Sequence, residues 1–144
     1  MSKRFYTVLT ALYATFVAVS AQSFDILYQD RILDEGSTIA IDAKENEFGE
    51  LACETNPPSN PNSGLVLKLI DATSAEVSTS LRVQTNTLNP SLMQWCMGGN
   101  CTIINGISTT YKTFTADSIE QVQFDATNIQ AEGSIDVTLS VTMG

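Results

Sequence analysis

The chain has 144 residues, with 7 basic and 16 acidic side chains, no histidine and a formal net charge of −9. So acidic a surface repels phosphate backbones and anionic lipid heads, which sets aside nucleic-acid and membrane-surface binding. The lack of histidine removes the commonest proton shuttle near neutral pH and disfavours the usual serine, cysteine and metal hydrolases.

The amino terminus reads as an export signal. Lys3 and Arg4 precede an uncharged run over positions 5–21 that ends in Val19-Ser20-Ala21. A charged start, an apolar middle and a small-residue exit are the marks of a secretory leader, and the run is near the lower length limit for spanning a bilayer. Cleavage is expected after Ala21; the alternative is an uncleaved anchor or a buried first helix. No cysteine lies near the cut, so the attachment point of a bacterial lipoprotein is absent. Residues 1–21 are thus the expected signal peptide and residues 22–144 a single domain, exported to the periplasm, cell surface or medium. The mature form keeps 5 basic against 16 acidic residues, a net charge of −11, and is long enough to bury a core.

Past the leader, apolar side chains recur at every second position, the period that puts alternate residues on opposite faces of a strand. Ile39 and Ile41, Leu51 and Cys53, and Val77, Leu81 and Val83 mark half-buried strands. Positions 65–70 read as a strand buried on both faces. Val122, Phe124 and Ala126 alternate with Gln121, Gln123 and Asp125, and Ile135, Val137, Leu139, Val141 and Met143 alternate with Asp136, Thr138, Ser140 and Thr142. Turns are signalled at Asp34-Glu35-Gly36, in the proline-rich stretch 56–64, and at Asn89-Pro90, Asn105-Gly106 and Glu132-Gly133. Eight to ten short strands at this spacing predict an all-β fold, an antiparallel sandwich of two sheets. The proline-rich stretch reads as a stiff surface connection, with a binding loop as the sharper alternative.

The densest local motif is Gln94-Trp95-Cys96-Met97-Gly98-Gly99-Asn100-Cys101. A four-residue hairpin loop over 97–100 would set Cys96 opposite Cys101 with Cα atoms about 4.5 to 5.5 Å apart, which a disulfide accepts. An oxidising compartment favours that bridge. Cys53 is left over on the apolar side of its strand as a small buried hydrophobe. A bond from Cys53 to Cys96 or Cys101, stapling two sheets, stays open, because three cysteines permit three single pairings. No metal site is expected, since histidine is absent and the thiols lack paired spacing.

Three aromatic residues are candidates for binding. Trp95 alternates with Met93 and Met97, so it belongs either to the core or to an exposed platform on which a sugar stacks. Tyr28 and Tyr111 are the other two. Asp34 with Glu35, or Glu45, Glu47 and Glu50, are the carboxylates a glycosidase would need, but they lie in polar turns and read as a solvated edge. No catalytic motif or cofactor signature is present.

The segments Phe24-Asp25-Ile26-Leu27-Tyr28, Asp34-Glu35-Gly36-Ser37-Thr38-Ile39, Trp95 through Cys101 and Gly133-Ser134-Ile135-Asp136-Val137 resemble small exported immunoglobulin-like sandwich proteins of Bacteroidetes-type bacteria. The resemblance implies an immunoglobulin-like envelope or extracellular module and carries no catalytic residue across. Asp117-Ser118-Ile119 matches the pattern on which such bacteria attach O-glycans, making Ser118 a candidate modification site. Asn100-Cys101-Thr102 fits the N-glycan pattern of a eukaryotic secretory pathway.

These readings converge on a non-enzymatic secreted or envelope module for interaction or assembly, with a small carbohydrate-binding module as the alternative. The partner would be a protein or a cell-surface glycan, with no nucleic acid and no membrane insertion of the mature chain. The strongly alternating final strand is expected to be covered by an earlier strand, with a sheet edge, or pairing with another chain by strand addition, as the sharper alternative.

Overall fold

The computed structural model describes residues 11–18, 24–56 and 58–143. The expected cut after Ala21 lies outside them. Fourteen strands are present among the described residues: β1 (Ala11–Ala18), β2 (Phe24–Tyr28), β3 (Arg31–Leu33), β4 (Thr38–Asp42), β5 (Lys44–Glu45), β6 (Leu51–Glu54), β7 (Leu65–Leu69), β8 (Ser74–Asn86), β9 (Pro90–Met97), β10 (Asn100–Ile103), β11 (Thr109–Asp117), β12 (Ile119–Gln121), β13 (Gln123–Ile129) and β14 (Ser134–Met143). A 3₁₀ turn, Pro61–Ser63, lies between β6 and β7.

The all-β expectation holds. The strands form three sheets, ordered β11-β8-β14-β1-β4, β10-β9-β13-β6-β5 and β12-β7-β2-β3. One cluster of buried side chains draws on all three, including Phe24 and Leu67, Val77 and Leu139, and Trp95 and Phe124. The sheets thus enclose a common interior, as in a β-sandwich. The expected pair of sheets becomes three because strands change partners along their length. At Val122 the chain leaves β12, which pairs with β7, and enters β13, which pairs with β9 and β6. At Ala43, only 1% exposed, it passes from β4, paired with β1, to β5, paired with β6.

Alternation within the strands is largely as the sequence demands. In β14 the buried positions are Ile135, Val137, Leu139 and Val141, and in β9 they are Met93, Trp95 and Met97. Two departures stand out. Asp125, expected on the solvent side of β13, is only 5% exposed. In the segment expected to be buried on both faces, Lys68 and Ile70 reach solvent while Val66 and Leu67 do not.

The count exceeds ten because some turns carry no glycine signal. β2 and β3 are joined by Gln29 and Asp30, which take positive φ of 52° and 63° and leave Tyr28 opposite Arg31. This is a two-residue hairpin turn of the kind that usually selects Asn-Gly. The final strand is not at an edge. β14 runs antiparallel to β8 on one side and parallel to β1 on the other. β1 itself comes from within the expected leader, and its other neighbour is β4.

Candidate functional site

The disulfide hairpin forms as expected, with a tighter turn. Met97 pairs with Asn100, so the loop is Gly98-Gly99 alone, with φ of 62° and 80°. Two successive positive φ values match the twist of the flanking strands and are cheap only for glycine. Cys96 and Cys101 occupy the next pair along, where side chains approach most closely, and they are bonded with Cα atoms 4.0 Å apart. A Cβ on Gly98 would also lie 2.5 Å from the Phe114 ring, so the glycine is required on two counts. Cys53 is unbonded and fully buried, its Sγ 3.7 Å from the Ile41 carbonyl oxygen. Burial, and then the nearby carboxylates of Asp42 and Glu54, push its thiol pKa up to about 12.

The three aromatic candidates are not brought together. Trp95 is 0% exposed and offers no face for stacking; it belongs to the core. Its Nε1–H donates to Thr110 Oγ1 at 2.8 Å, and Lys112 Nζ sits 5.0 Å from its ring centroid. Lys112 also donates to Thr102 Oγ1 at 2.8 Å. Strands β9 and β10 of one five-stranded sheet are thereby tied to β11 of the other. Tyr111 is 77% exposed on β11, an edge strand, and Ser118 is exposed in the bend between β11 and β12. The turn carboxylates remain a solvated edge: Asp34, Glu35, Glu45 and Glu47 are all exposed. Asn46 organises the second of these turns, its Oδ1 accepting from the backbone N–H of Phe48 and Glu50 at 3.0 and 2.9 Å.

Tyr28 is the aromatic that meets a cleft. It is half-buried and lines a recess of about 200 Å³ together with Asp42, Lys44, Glu54, Thr55 and Pro58. The proline-rich stretch forms one wall. Its shape is fixed from below by two buried polar residues that the sequence reading passed over. Asn56 Nδ2 donates to the carbonyls of Pro61 at 2.8 Å and Leu65 at 2.9 Å. Thr55 Oγ1 donates to Asn56 Oδ1 at 2.6 Å and accepts from the backbone N–H of Phe124 at 2.8 Å. Gly64 is enclosed so closely by Thr55 and Asn56 that no Cβ fits. A Thr-Asn pair directly ahead of two prolines is the one sequence signal of this anchoring, since such side chains satisfy loop backbone.

Burial raises the Tyr28 phenol pKa. Glu54 is raised by burial and then by Asp125, its cross-strand partner, and Glu47. Asp125 is raised by burial, opposed by the side-chain amides of Gln123 and Gln94. Gln123 Nε2 donates to Asp125 Oδ2 at 2.8 Å, while Oδ1 is buried without a hydrogen bond of normal geometry. The recess therefore offers a phenol edge, an ammonium and carboxyls, groups suited to hydrogen-bonding a polar ligand.

Another cleft, of about 170 Å³, lies beside β9 and β10, lined by Asn86, Pro90, Leu92, Met93, Ile103 and Gly106 among others. Leu92 is 37% and Ile103 60% exposed, and Ile107, next to Gly106, is 68% exposed. Among the described residues no helix is long and apolar enough to cross a membrane. No protein-family model matches the chain, and no curated protein matches it either.

Proposed function

We propose that the protein is a non-enzymatic interaction module, exported and acting in the envelope or outside the cell. The observation that carries this reading is the group of apolar side chains left in solvent beside the disulfide hairpin, Leu92, Ile103 and Ile107. Leu92 and Ile103 line one cleft, and Ile107 follows Gly106, another of its lining residues; large aliphatic side chains exposed together are costly in water and mark surfaces that meet another macromolecule. The disulfide is compatible with an oxidising compartment. Capture from envelope extracts, comparing wild type with the double variant Ile103→Asp/Ile107→Asp, tests the reading. A binding partner retained by wild type and lost by an equally stable variant supports it; identical retention by both overturns this surface.

A small carbohydrate-binding module is the second reading, favoured by the Tyr28 recess with Lys44 and Glu54 and by the exposed Tyr111. On a glycan array, a saturable signal abolished by Tyr28→Ala or Tyr111→Ala selects this reading. Silence on the array leaves the apolar surface as the functional one. The immunoglobulin-like relationship, and O-glycosylation at the exposed Ser118, belong to the same exported reading; intact mass of the native protein checks the latter.

A further inference from the structure

We propose that, once the leader is removed, the place of β1 becomes a strand-acceptor slot between β14 and β4, filled by an extended segment of a different protein. The inference rests on cleavage after Ala21. Its starting point is a conflict between two roles of the same residues. Positions 11–18 have the composition of an export leader, yet they occupy the centre of a sheet, pairing with β14 along their full length and with β4 over Ala11–Thr15.

Taking one strand out of the middle of a sheet opens a gap of two strand spacings, about 9.5 Å between β4 and β14. Both walls then present unpaired backbone donors and acceptors, and β14 carries the core positions Ile135, Val137, Leu139 and Val141 along the gap, each at most 2% exposed while β1 is in place. Unpaired edges beside buried apolar side chains recruit another strand. The mature chain has nothing of its own to refill the slot from its amino terminus. It would begin two residues before Phe24, which is already buried and paired with Leu69.

The walls specify the donor's chemistry. The register sets Leu12, Ala14, Phe16 and Ala18 opposite Ile135, Val137, Leu139 and Val141, so the donor needs apolar residues at four alternate positions. It must run parallel to β14. Asp42 lies opposite Ala11, and Asp136 lies opposite Tyr13, at the end where the donor enters. Two carboxylates there favour a cation just ahead of the apolar positions.

The test begins with the full chain exported by a secreting bacterium, its amino terminus read by intact mass. Retention of Met1 refutes the leader reading, and the acceptor proposal with it. For a chain starting at Gln22, a synthetic peptide carrying the sequence of residues 11–18 behind two lysines is the probe. The peptide is expected to raise the melting temperature by several degrees and slow amide exchange in β14 and β4 by about tenfold or more, whereas a Phe16→Asp peptide does neither. A cleaved chain whose β14 and β4 amides are already protected on the slot side, or one indifferent to the peptide, overturns the slot while leaving the leader reading intact. If the cleaved chain aggregates, the full chain with Ala14→Pro replaces it, because proline removes a ladder donor in mid-strand. Protection lost in that variant and restored by the peptide supports the proposal, and protection unchanged by the substitution refutes it.

Discussion

Replacing Trp95 with Phe separates a structural indole from a binding one. The substitution removes the Nε1–H that donates to Thr110 Oγ1 at 2.8 Å, a bond between the two five-stranded sheets. A buried hydrogen bond of this kind is worth about 1 kcal/mol net. The smaller ring also leaves roughly 40 Å³ unfilled at a fully buried site, which at the cavity cost of about 24 cal/mol per Å³ adds close to another 1 kcal/mol. Phe keeps an aromatic face beneath Lys112, so the ammonium contact, itself worth about 0.5–1 kcal/mol, is weakened rather than lost. The expected loss is therefore about 2 kcal/mol, read as a lower urea midpoint at unchanged slope. Thr110→Val reports on the same bond from the other side. It leaves the indole donor buried and unpaired and is expected to cost about 1–3 kcal/mol, with a double variant clearly less than additive. A Trp95→Phe protein that melts like wild type, or two changes that simply add, would refute the account of Trp95 as the inter-sheet tie.

Cys53 is expected to resist alkylation by iodoacetamide at pH 8 in the folded protein and to react once in urea, because burial and two neighbouring carboxylates hold its thiol neutral; rapid labelling of the native chain contradicts this. Asp125 and Glu54 both have pKa values raised on folding, so the folded state binds more protons than the unfolded state between the ordinary carboxylate range and the raised folded values. Stability should then fall as pH rises through that window, and Asp125→Asn should flatten the fall, measured by urea titrations from pH 4 to pH 7. A stability that rises over the same range, identically in wild type and variant, sinks this assignment. Gly98→Ala is expected to destabilise by about 1–3 kcal/mol, since a Cβ there combines a left-handed backbone with a collision on Phe114; a melting temperature within error of wild type would show that the hairpin relaxes freely.

What could be read from the linear chain was whatever depends on neighbours in sequence. The two-residue period of Ile135 to Met143 fixes a half-buried strand because successive side chains alternate faces whatever the partner is. The Gly98-Gly99 turn brings Cys96 and Cys101 together by local geometry alone, though the loop is shorter than the spacing suggested. Trp95 alternating with Met93 and Met97 left core and platform equally patterned, since alternation says which residues share a face and not what covers that face. Asp125 was misjudged for the same reason: it lies on the polar side of β13, yet neighbouring strands shield it. The Tyr28 recess joins side chains from β2, β4, β5 and β6 with the proline-rich stretch, and no local signal announces such a meeting.

The amino-acid sequence alone determined that this is a β protein with a disulfide hairpin, because strand period and tight turns are short-range properties of the backbone. Tertiary structure alone decided which strands are neighbours, that β14 is central and not an edge, and that positions 11–18 complete its sheet. Pairing joins residues more than a hundred positions apart, and every alternating segment offers the same ladder of donors and acceptors. Only the closure of one shared core selects among them.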